Sequence, residues 1–209
     1  NGIESINLDN CVNVSSIPPH TSSQAIVHVF NCDNFMGLHP RVSKLRALTV
    51  VNCASFETIN TEIDIEDYLV VADCEDFEGF AHPVRVHGEV TVARCPMVRD
   101  LAKCKLSAFE MYLHDLDELR GIGTTVDVVR IHAQNCAELR ASEVKVVPQE
   151  GLMITMCPMF YDALCGRSIN VEDALDDTVK IELGVEVRAF MDKLIPALEQ
   201  QASQYGAVT

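Results

Sequence analysis

The sequence predicts a repeat solenoid, in which short turns of the chain stack on one another around a single elongated core. The main observation is a period, because a cysteine recurs every 21 residues along most of the chain. These cysteines are Cys11, Cys32, Cys53, Cys74, Cys95, Cys136 and Cys157. Leu116 stands at the intermediate position between Cys95 and Cys136, so eight marks follow one another at steps of 21 or 20 residues. A fixed period of this length is the signature of stacked repeats.

Four columns of apolar residues keep the same register as the cysteine marks. They lie five and three residues before each mark and three and six residues after it, as Leu48, Val50, Phe56 and Ile59 do around Cys53. The alternation of Leu48 and Val50 predicts a short strand with one buried face. The later steps of three predict a turning segment that keeps returning to the same interior.

About ten residues remain in each copy to bring the chain back to the next strand. That length is too short for a helix with two loops. Prolines occur in these returns at Pro18, Pro19, Pro40 and Pro83, and proline suits tight turns and polyproline-like segments. Extended, 3-10 or turn structure is therefore predicted on the return side.

The repeats resemble the leucine-rich repeat family, whose pattern LxxLxLxxN/CxL is matched best by Leu45, Leu48, Val50, Cys53 and Phe56. The resemblance covers about residues 3–165, and the period of 21 is most similar to the short repeats of secreted bacterial effector proteins. It implies a solenoid with a parallel β-sheet on the concave face and extended, 3-10 or turn segments on the convex side. We expect residues 1–165 to form about eight such repeats.

Residues 166–209 are predicted to form a C-terminal helical cap, or a linker into a further domain. Apolar residues in this segment follow the spacing of one helical face. They are Val187, Phe190, Met191, Leu194, Ile195 and Leu198.

The seven marked cysteines are expected to form a structural ladder of inward thiols. The resemblance implies this role, because the family places an inward Asn or Cys at the same position to satisfy backbone groups. Stacked thiols that point the same way do not suit the dihedral angle of a disulfide. We therefore expect reduced cysteines and a reducing compartment, the cytoplasm, or a host cytoplasm if the protein is a secreted effector.

Other roles for these side chains are less favoured by the sequence. There is no C-x₂-C pair for zinc, and Cys95 with Cys104 or Cys157 with Cys165 are too widely spaced. A catalytic pair of Cys157 or Cys165 with His132 would need a reactive thiol, whereas a buried one is inert. Phosphate-binding loops and nucleophile elbows are absent from the sequence. No catalytic residue, metal site or cofactor is predicted, and the chain is not expected to be an enzyme.

Residues between the inward columns point outward from the sheet and predict a partner-binding face. In the C-terminal half this face is polar. In the N-terminal half the sequence predicts a contiguous exposed apolar area, made of Ile26, Phe30, Val51, Tyr68, Val70, Ala72 and Ala93. The predicted contact residues are Ile26, His28, Phe30, Val51, Tyr68, Val70, Tyr112, His114, Arg130 and His132. Two simpler interpretations stay open: outward β-branched residues favour strand formation by themselves, and His114 with His132 and Asp115 allows a surface metal site.

The net charge of the chain limits the kinds of partner that the sequence predicts. The chain has 16 Lys and Arg against 31 Asp and Glu, a net charge of −15. This balance argues against nucleic acid and against anionic membranes, and no apolar run is long enough to span a bilayer. It favours a protein partner of basic character.

The expected function is a non-catalytic protein–protein interaction module that binds its partner on the concave face. Two alternatives stay open. One is the substrate-recognition domain of a larger effector enzyme such as a ubiquitin ligase, which a catalytic cysteine after residue 209 would favour. The other is a structural or self-associating repeat module, which a concentration-dependent size would favour.

Overall fold

A computed structural model of the chain describes residues 2–101, 105–123, 125–140, 143–144 and 151–160, together with the backbone of residues 179–181. Parallel strands stack into a β-solenoid of about seven turns, each of about 21 residues. The predicted repeat solenoid and its parallel sheet are confirmed.

One sheet runs the length of the solenoid. Its strands are β1 (Ile3–Asp9), β3 (Thr21–Phe30), β5 (Lys44–Val51), β7 (Ile63–Ala72), β9 (Val84–Val86), β10 (Glu89–Ala93), β11 (Leu106–His114), β12 (Val126–Gln134), β13 (Gly151–Thr155) and β14 (Val179–Ile181). The order along the sheet is β1-β3-β5-β7-β10-β11-β12-β13-β14, and β9 pairs with β7 and β11. All pairs are parallel except that of β13 with β14.

Four strands of two residues form after the turns that follow β1, β3, β5 and β7. They are β2 (Ser16–Ile17), β4 (Gly37–Leu38), β6 (Thr58–Ile59) and β8 (Gly79–Phe80). β2 pairs with β4 and β6 pairs with β8, both in parallel. The predicted turning segment therefore contains short extended pieces that continue the stack.

The apolar columns form the core. Around Cys53, the side chains of Leu48, Val50, Phe56 and Ile59 are all at most 1% exposed. In the first turn, the equivalent Ile6, Leu8 and Cys11 are only partly buried, because among the described residues nothing stacks on the other side of β1.

The returns contain more strand than the sequence pattern predicted. β3 and β7 are each ten residues long, so the strand begins well before the first apolar column. Ile63 and Ile65 in β7 are buried, as are Val84 and Val86 in β9, which pairs with it. These alternating residues add a second inward row with the period of a β-strand, and the return segments are thus part of the main sheet.

A repeated backbone conformation ends each long strand. The residue before each mark has a positive φ, between 50° and 54°. These residues are Asn10, Asn31, Asn52, Asp73, Arg94, Asp115, Asn135 and Met156. Asn and Asp tolerate this left-handed conformation better than other non-glycine residues, which explains why they recur there. The sequence analysis did not use this signal.

A glycine separates β9 from β10. A Cβ atom on Gly88 would lie 1.9 Å from the carbonyl oxygen of Asp67, so only glycine allows the two backbones to approach this closely. The Gly88 carbonyl in turn accepts a hydrogen bond from the Phe109 N–H at 3.0 Å. This hydrogen bond joins the backbone of β11 to the glycine between β9 and β10.

The C-terminal segment is described only at β14, which pairs antiparallel with β13. The predicted helical face at 187–198, Cys104, Cys165 and the boundary between 165 and 166 lie outside the described residues. Within the described part of the chain, no helix has the length and apolar character needed to cross a membrane.

Candidate functional site

The marked thiols act as hydrogen-bonding groups of the core. The described cysteines are free, and all except the half-buried Cys11 are buried. Cys74 Sγ donates to the carbonyl of Ala72 at 3.3 Å and to that of Val50, one turn earlier, at 3.8 Å. The backbone N–H of Cys11 donates to Cys32 Sγ at 3.3 Å. Each such thiol can therefore satisfy backbone groups of its own turn and the preceding one.

Burial keeps the thiols of Cys74 and Cys95 protonated. It raises the pKa of Cys74 to about 12 and that of Cys95 to about 11. Because the thiolate is the nucleophile, such groups are chemically inert at neutral pH. Cys74 and Cys95 therefore contribute buried, unreactive thiols to the core.

The front face is defined here as the outward side of β3, β5, β7, β10, β11 and β12, at positions six, four and two before each mark. The register places these positions in three straight rows. The first row is Ile26, Ala47, Tyr68, Glu89, Glu110 and Arg130; the second is His28, Thr49, Val70, Thr91, Tyr112 and His132; the third is Phe30, Val51, Ala72, Ala93, His114 and Gln134. All ten predicted contact residues lie on this face, and each is half-buried.

The N-terminal part of the front face is less exposed than the sequence suggested. Ala72 and Ala93 were expected to belong to an exposed apolar area, but they are only 6% and 5% exposed. Neighbouring strands lie about 4.8 Å apart, so taller side chains on adjacent strands shield the small ones. The rings of His28 and Phe30 stack beside this area, with centroids 6.0 Å apart.

The C-terminal part of the front face contains a connected polar cluster around Glu110. Its carboxylate pairs with the Arg130 guanidinium and accepts a hydrogen bond from the Tyr112 hydroxyl. The Tyr112 ring stacks on His132 at 4.6 Å and on His114 at 6.1 Å. The structure therefore brings together four predicted contact residues, Tyr112, His114, Arg130 and His132, around a carboxylate that the prediction left out.

Two members of this cluster are not among the predicted contact residues. Glu110 is only 9% exposed, and the exposed ring of Phe109 lies 5.4 Å from the Arg130 guanidinium carbon. The available signal was register, because Glu110 and Arg130 occupy equivalent positions on adjacent strands, where opposite charges attract.

The cluster shifts the ionisation of its members. The hydrogen bond to Glu110 is the main cause that raises the pKa of Tyr112 to about 12. The same bond, followed by the ion pair with Arg130, lowers the pKa of Glu110. Burial lowers the pKa of His132, whose Nε2 is shielded and has no hydrogen-bond partner among the described residues. At neutral pH the cluster thus combines a carboxylate, a guanidinium and a neutral imidazole.

The return segments line a groove of about 530 Å³, and the surface around it is called the return side below. Its lining includes Thr61, Asp64, Arg85, Lys105 and Ser107. Asp64, Arg85, Ser107 and Asp127 stand in one row, because their strands pair in register. Sequence reasoning missed this surface, since it treated the returns as irregular.

Within the described ranges, no group of three His, Cys, Asp or Glu residues is arranged to hold a metal ion.

Comparison of the chain with protein-family models, with curated proteins and with solved structures finds no match. The resemblance to leucine-rich repeats therefore stays a prediction from the sequence pattern.

Proposed function

We propose that the chain is a non-catalytic protein-binding module that contacts its partner through the front face. The observation that carries the proposal is the collection of ring-bearing side chains on one outward surface. They are His28, Phe30, Tyr68, Tyr112, His114 and His132. The solenoid core does not need rings at outward positions, whereas aromatic residues dominate the binding energy of protein interfaces.

The character of the thiol column supports a binding function over a catalytic one. The thiols of Cys74 and Cys95 stay protonated because burial raises their pKa values. Free buried cysteines also suit a reducing compartment. The net charge of −15 favours a basic partner. A role as the substrate-recognition part of a larger effector enzyme would use the same face.

The test compares two variants that change the charge equally on different surfaces. The first carries Phe30→Glu, Tyr68→Glu and Val70→Glu on the front face. The second carries Lys44→Glu and Ser107→Glu on the return side. Each variant and the wild-type chain are immobilised, and proteins retained from a source lysate are identified by mass spectrometry.

We expect a partner that is retained by the wild-type chain and by the return-side variant but lost by the front-face variant. The dissociation constant of the purified partner should rise by about a hundredfold or more in the front-face variant. Circular dichroism of both variants controls for folding. Loss in the return-side variant alone would contradict the proposal.

Self-association is a second candidate, and a specific observation favours it. Among the described strands, β1 pairs with β3 alone, and Ile3 on it and Val12 just after it are 44% and 61% exposed. A strand with a free edge can pair with another strand. Light scattering coupled to gel filtration tests this, since a mass that grows with concentration would support it and a constant monomer mass would exclude it.

A further inference from the structure

The groove on the return side is lined by residues at or just before the starts of four paired strands, β7, β9, β11 and β12. Pro40 and Ser43, which precede β5, line it as well. Its volume of about 530 Å³ falls within the range of about 300–1,000 Å³ that is usual for small-molecule sites. The groove is therefore large enough for a small ligand, and the chemistry of its lining decides which ligand it fits.

Two rows of outward residues, most of them polar, run along this groove, because the strands that carry them pair in register. One row is Asp64, Arg85, Ser107 and Asp127. The other row consists of the residues two places earlier in the chain: Glu62, Pro83, Lys105 and Thr125. Ile63, Val84 and Leu106 lie between the rows and also line the groove, although they are at most 2% exposed. The groove thus offers charged and hydroxyl groups on both flanks of a floor whose apolar side chains are buried.

Arg85 and Lys105 bring two positive charges to the same part of the groove. Lys105 stands two residues before Ser107, the register partner of Arg85 on the adjacent strand. A strand spacing of about 4.8 Å and a two-residue step of about 6.6 Å place the two backbone positions roughly 8 Å apart, within reach of long side chains. Both residues are exposed and both line the groove. Their charged ends and the Ser107 hydroxyl can therefore contact one anionic group between them.

No acidic side chain in the described part of the chain pairs with Arg85 or Lys105, and neither forms a side-chain hydrogen bond there. Asp64 is the register neighbour of Arg85, but its carboxylate contacts His87 Nε2 at 3.0 Å instead. The chain has 31 Asp and Glu against 16 Lys and Arg, so its composition does not explain two neighbouring cations without an acidic partner. The anionic group of a ligand can fill this place.

Acidic side chains flank the two cations. Glu62 and Asp64 lie on the β7 side and Asp127 on the β12 side, so the lining has three negative charges against two positive ones. A simple anion would be repelled by these carboxylates and by the net charge of −15. A ligand that carries both an anionic and a cationic group avoids this repulsion, because each group can meet the opposite charge. The two carboxylates on β7 favour that side for the cationic group.

We propose that the groove is a binding site for dipeptides with free termini. The C-terminal carboxylate lies between Arg85, Lys105 and Ser107. The N-terminal ammonium group lies beside Glu62 and Asp64. The strand β7 is one and a half strand spacings, or roughly 7 Å, from the midpoint between β9 and β11, and two residues of extended chain span about 7 Å. This site goes beyond the protein-binding function proposed above and uses none of the front-face residues.

The spacing of the charges limits the length of the ligand. The ammonium and carboxylate groups of a single amino acid are too close together to reach both sides, and each further residue adds about 3.4 Å and moves the ammonium group past β7. Both recognised groups belong to the ends of the ligand, so we expect little selectivity for its side chains. A guanidinium can bind a carboxylate through two parallel hydrogen bonds, and Arg85 should therefore contribute more than Lys105.

The experiment titrates the whole isotope-labelled chain of 209 residues with alanyl-alanine and follows the backbone amide shifts by NMR. The N-acetyl form of the dipeptide lacks the ammonium group, its C-terminal amide lacks the carboxylate, and inorganic phosphate tests an anion alone. Arg85→Gln and Glu62→Gln each remove one charge of the site. Lys44→Gln is the matched control, since Lys44 is exposed and in register with Asp64 but is not among the described residues that line the groove. Circular dichroism shows that each variant is folded.

We expect alanyl-alanine to shift the amides around the groove, with a dissociation constant that rises by about tenfold or more in Arg85→Gln and by less than about twofold in Lys44→Gln. Glu62→Gln should weaken binding by about threefold. Both blocked dipeptides and phosphate should bind at least about tenfold more weakly than alanyl-alanine. Unchanged groove amides would overturn the inference, as would equal losses in Arg85→Gln and Lys44→Gln. Equal binding of the N-acetyl form, or tighter binding of phosphate, would overturn the zwitterionic ligand.

Discussion

The early turns of the solenoid, built on β3, β5 and β7, and the late turns, built on β10, β11 and β12, share one backbone path but use different side chains along it. Three residues after the mark, the early turns place Phe35, Phe56 and Phe77, whose rings stack at 5.6 and 5.4 Å. The late turns place the equally buried Val98, Leu119 and Leu139 there. The backbone path and the inward direction of the side chains at this position repeat in every turn, whereas the side chain itself changes from aromatic to aliphatic.

The outward residues of the same turns differ as well, and here the late turns contain the connected aromatic residues. The early front face includes the small, buried residues Ala47 and Thr49. The late front face contains the charged and aromatic cluster around Glu110. The comparison teaches that the inward columns only have to fill a constant cross-section. The outward rows are free of that requirement and can therefore specialise turn by turn.

The largest expected effect concerns a property that the early and late turns share, the exclusion of solvent from the core. In a chain with Cys104→Ser and Cys165→Ser, we expect Cys11 to react with a thiol reagent at neutral pH, since it is half-buried. The buried cysteines of early and late turns should react at least about a thousandfold more slowly, because their modification needs the solenoid to open. Mass spectrometry of the labelled peptides over time measures the rates. Fast labelling of Cys95 or Cys136 alone would show that the late turns are open.

Phe56→Ala tests the aromatic column of the early turns. Its ring lies between those of Phe35 and Phe77, so its removal leaves a cavity that the rigid repeats on both sides cannot close. We expect the free energy of unfolding to fall by about 3–5 kcal/mol, measured by urea denaturation. Met36→Ala, an exposed position in the same part of the chain, should change it by less than about 0.5 kcal/mol. A loss below about 1 kcal/mol for Phe56→Ala would refute the role of the stack.

Glu110→Gln tests the cluster of the late turns against its neighbour in register, Glu89. The substitution removes the carboxylate that pairs with Arg130 and accepts a hydrogen bond from the Tyr112 hydroxyl. We expect a loss of about 1–2 kcal/mol in the free energy of unfolding. Glu89→Gln should change it by less than about 0.5 kcal/mol. Equal effects of the two substitutions would mean that the Glu110 contacts do not stabilise the sheet.

The smallest expected effect is the pH dependence that His132 contributes in the late turns. Burial lowers the pKa of His132 below its ordinary value of about 6.5, so the unfolded chain binds this proton more readily than the folded chain does. The resulting stability is fully present above about pH 6.5 and is lost as the pH falls through the lower folded pKa. Melting temperatures between pH 7.5 and pH 5 should therefore fall less steeply in His132→Phe than in the wild-type chain. An equal slope in the two chains would contradict this role of His132.

Much of the fold could be predicted because the same pattern of apolar residues recurs in every repeat. Alternation around Cys53, steps of three to Phe56 and a short return were enough to predict stacked turns with a parallel sheet. The extra strand in the returns was not predicted, because Ile63, Ile65, Val84 and Val86 show only two alternating residues per copy. Their pairing becomes evident only when neighbouring turns are aligned in space.

The sequence by itself determined which residues face inward, since a period of two in the strands and a period of 21 along the chain leave one consistent arrangement. It also determined that His28, Phe30, Tyr112 and His132 face outward. Only the tertiary structure decided how deep the outward residues lie and which of them meet. Ala72 and Ala93 are buried by their neighbours, and Glu110 meets Arg130 and Tyr112. The physical reason is that burial and ion pairing depend on the side chains of adjacent strands, which are 20 or 21 residues away in the chain.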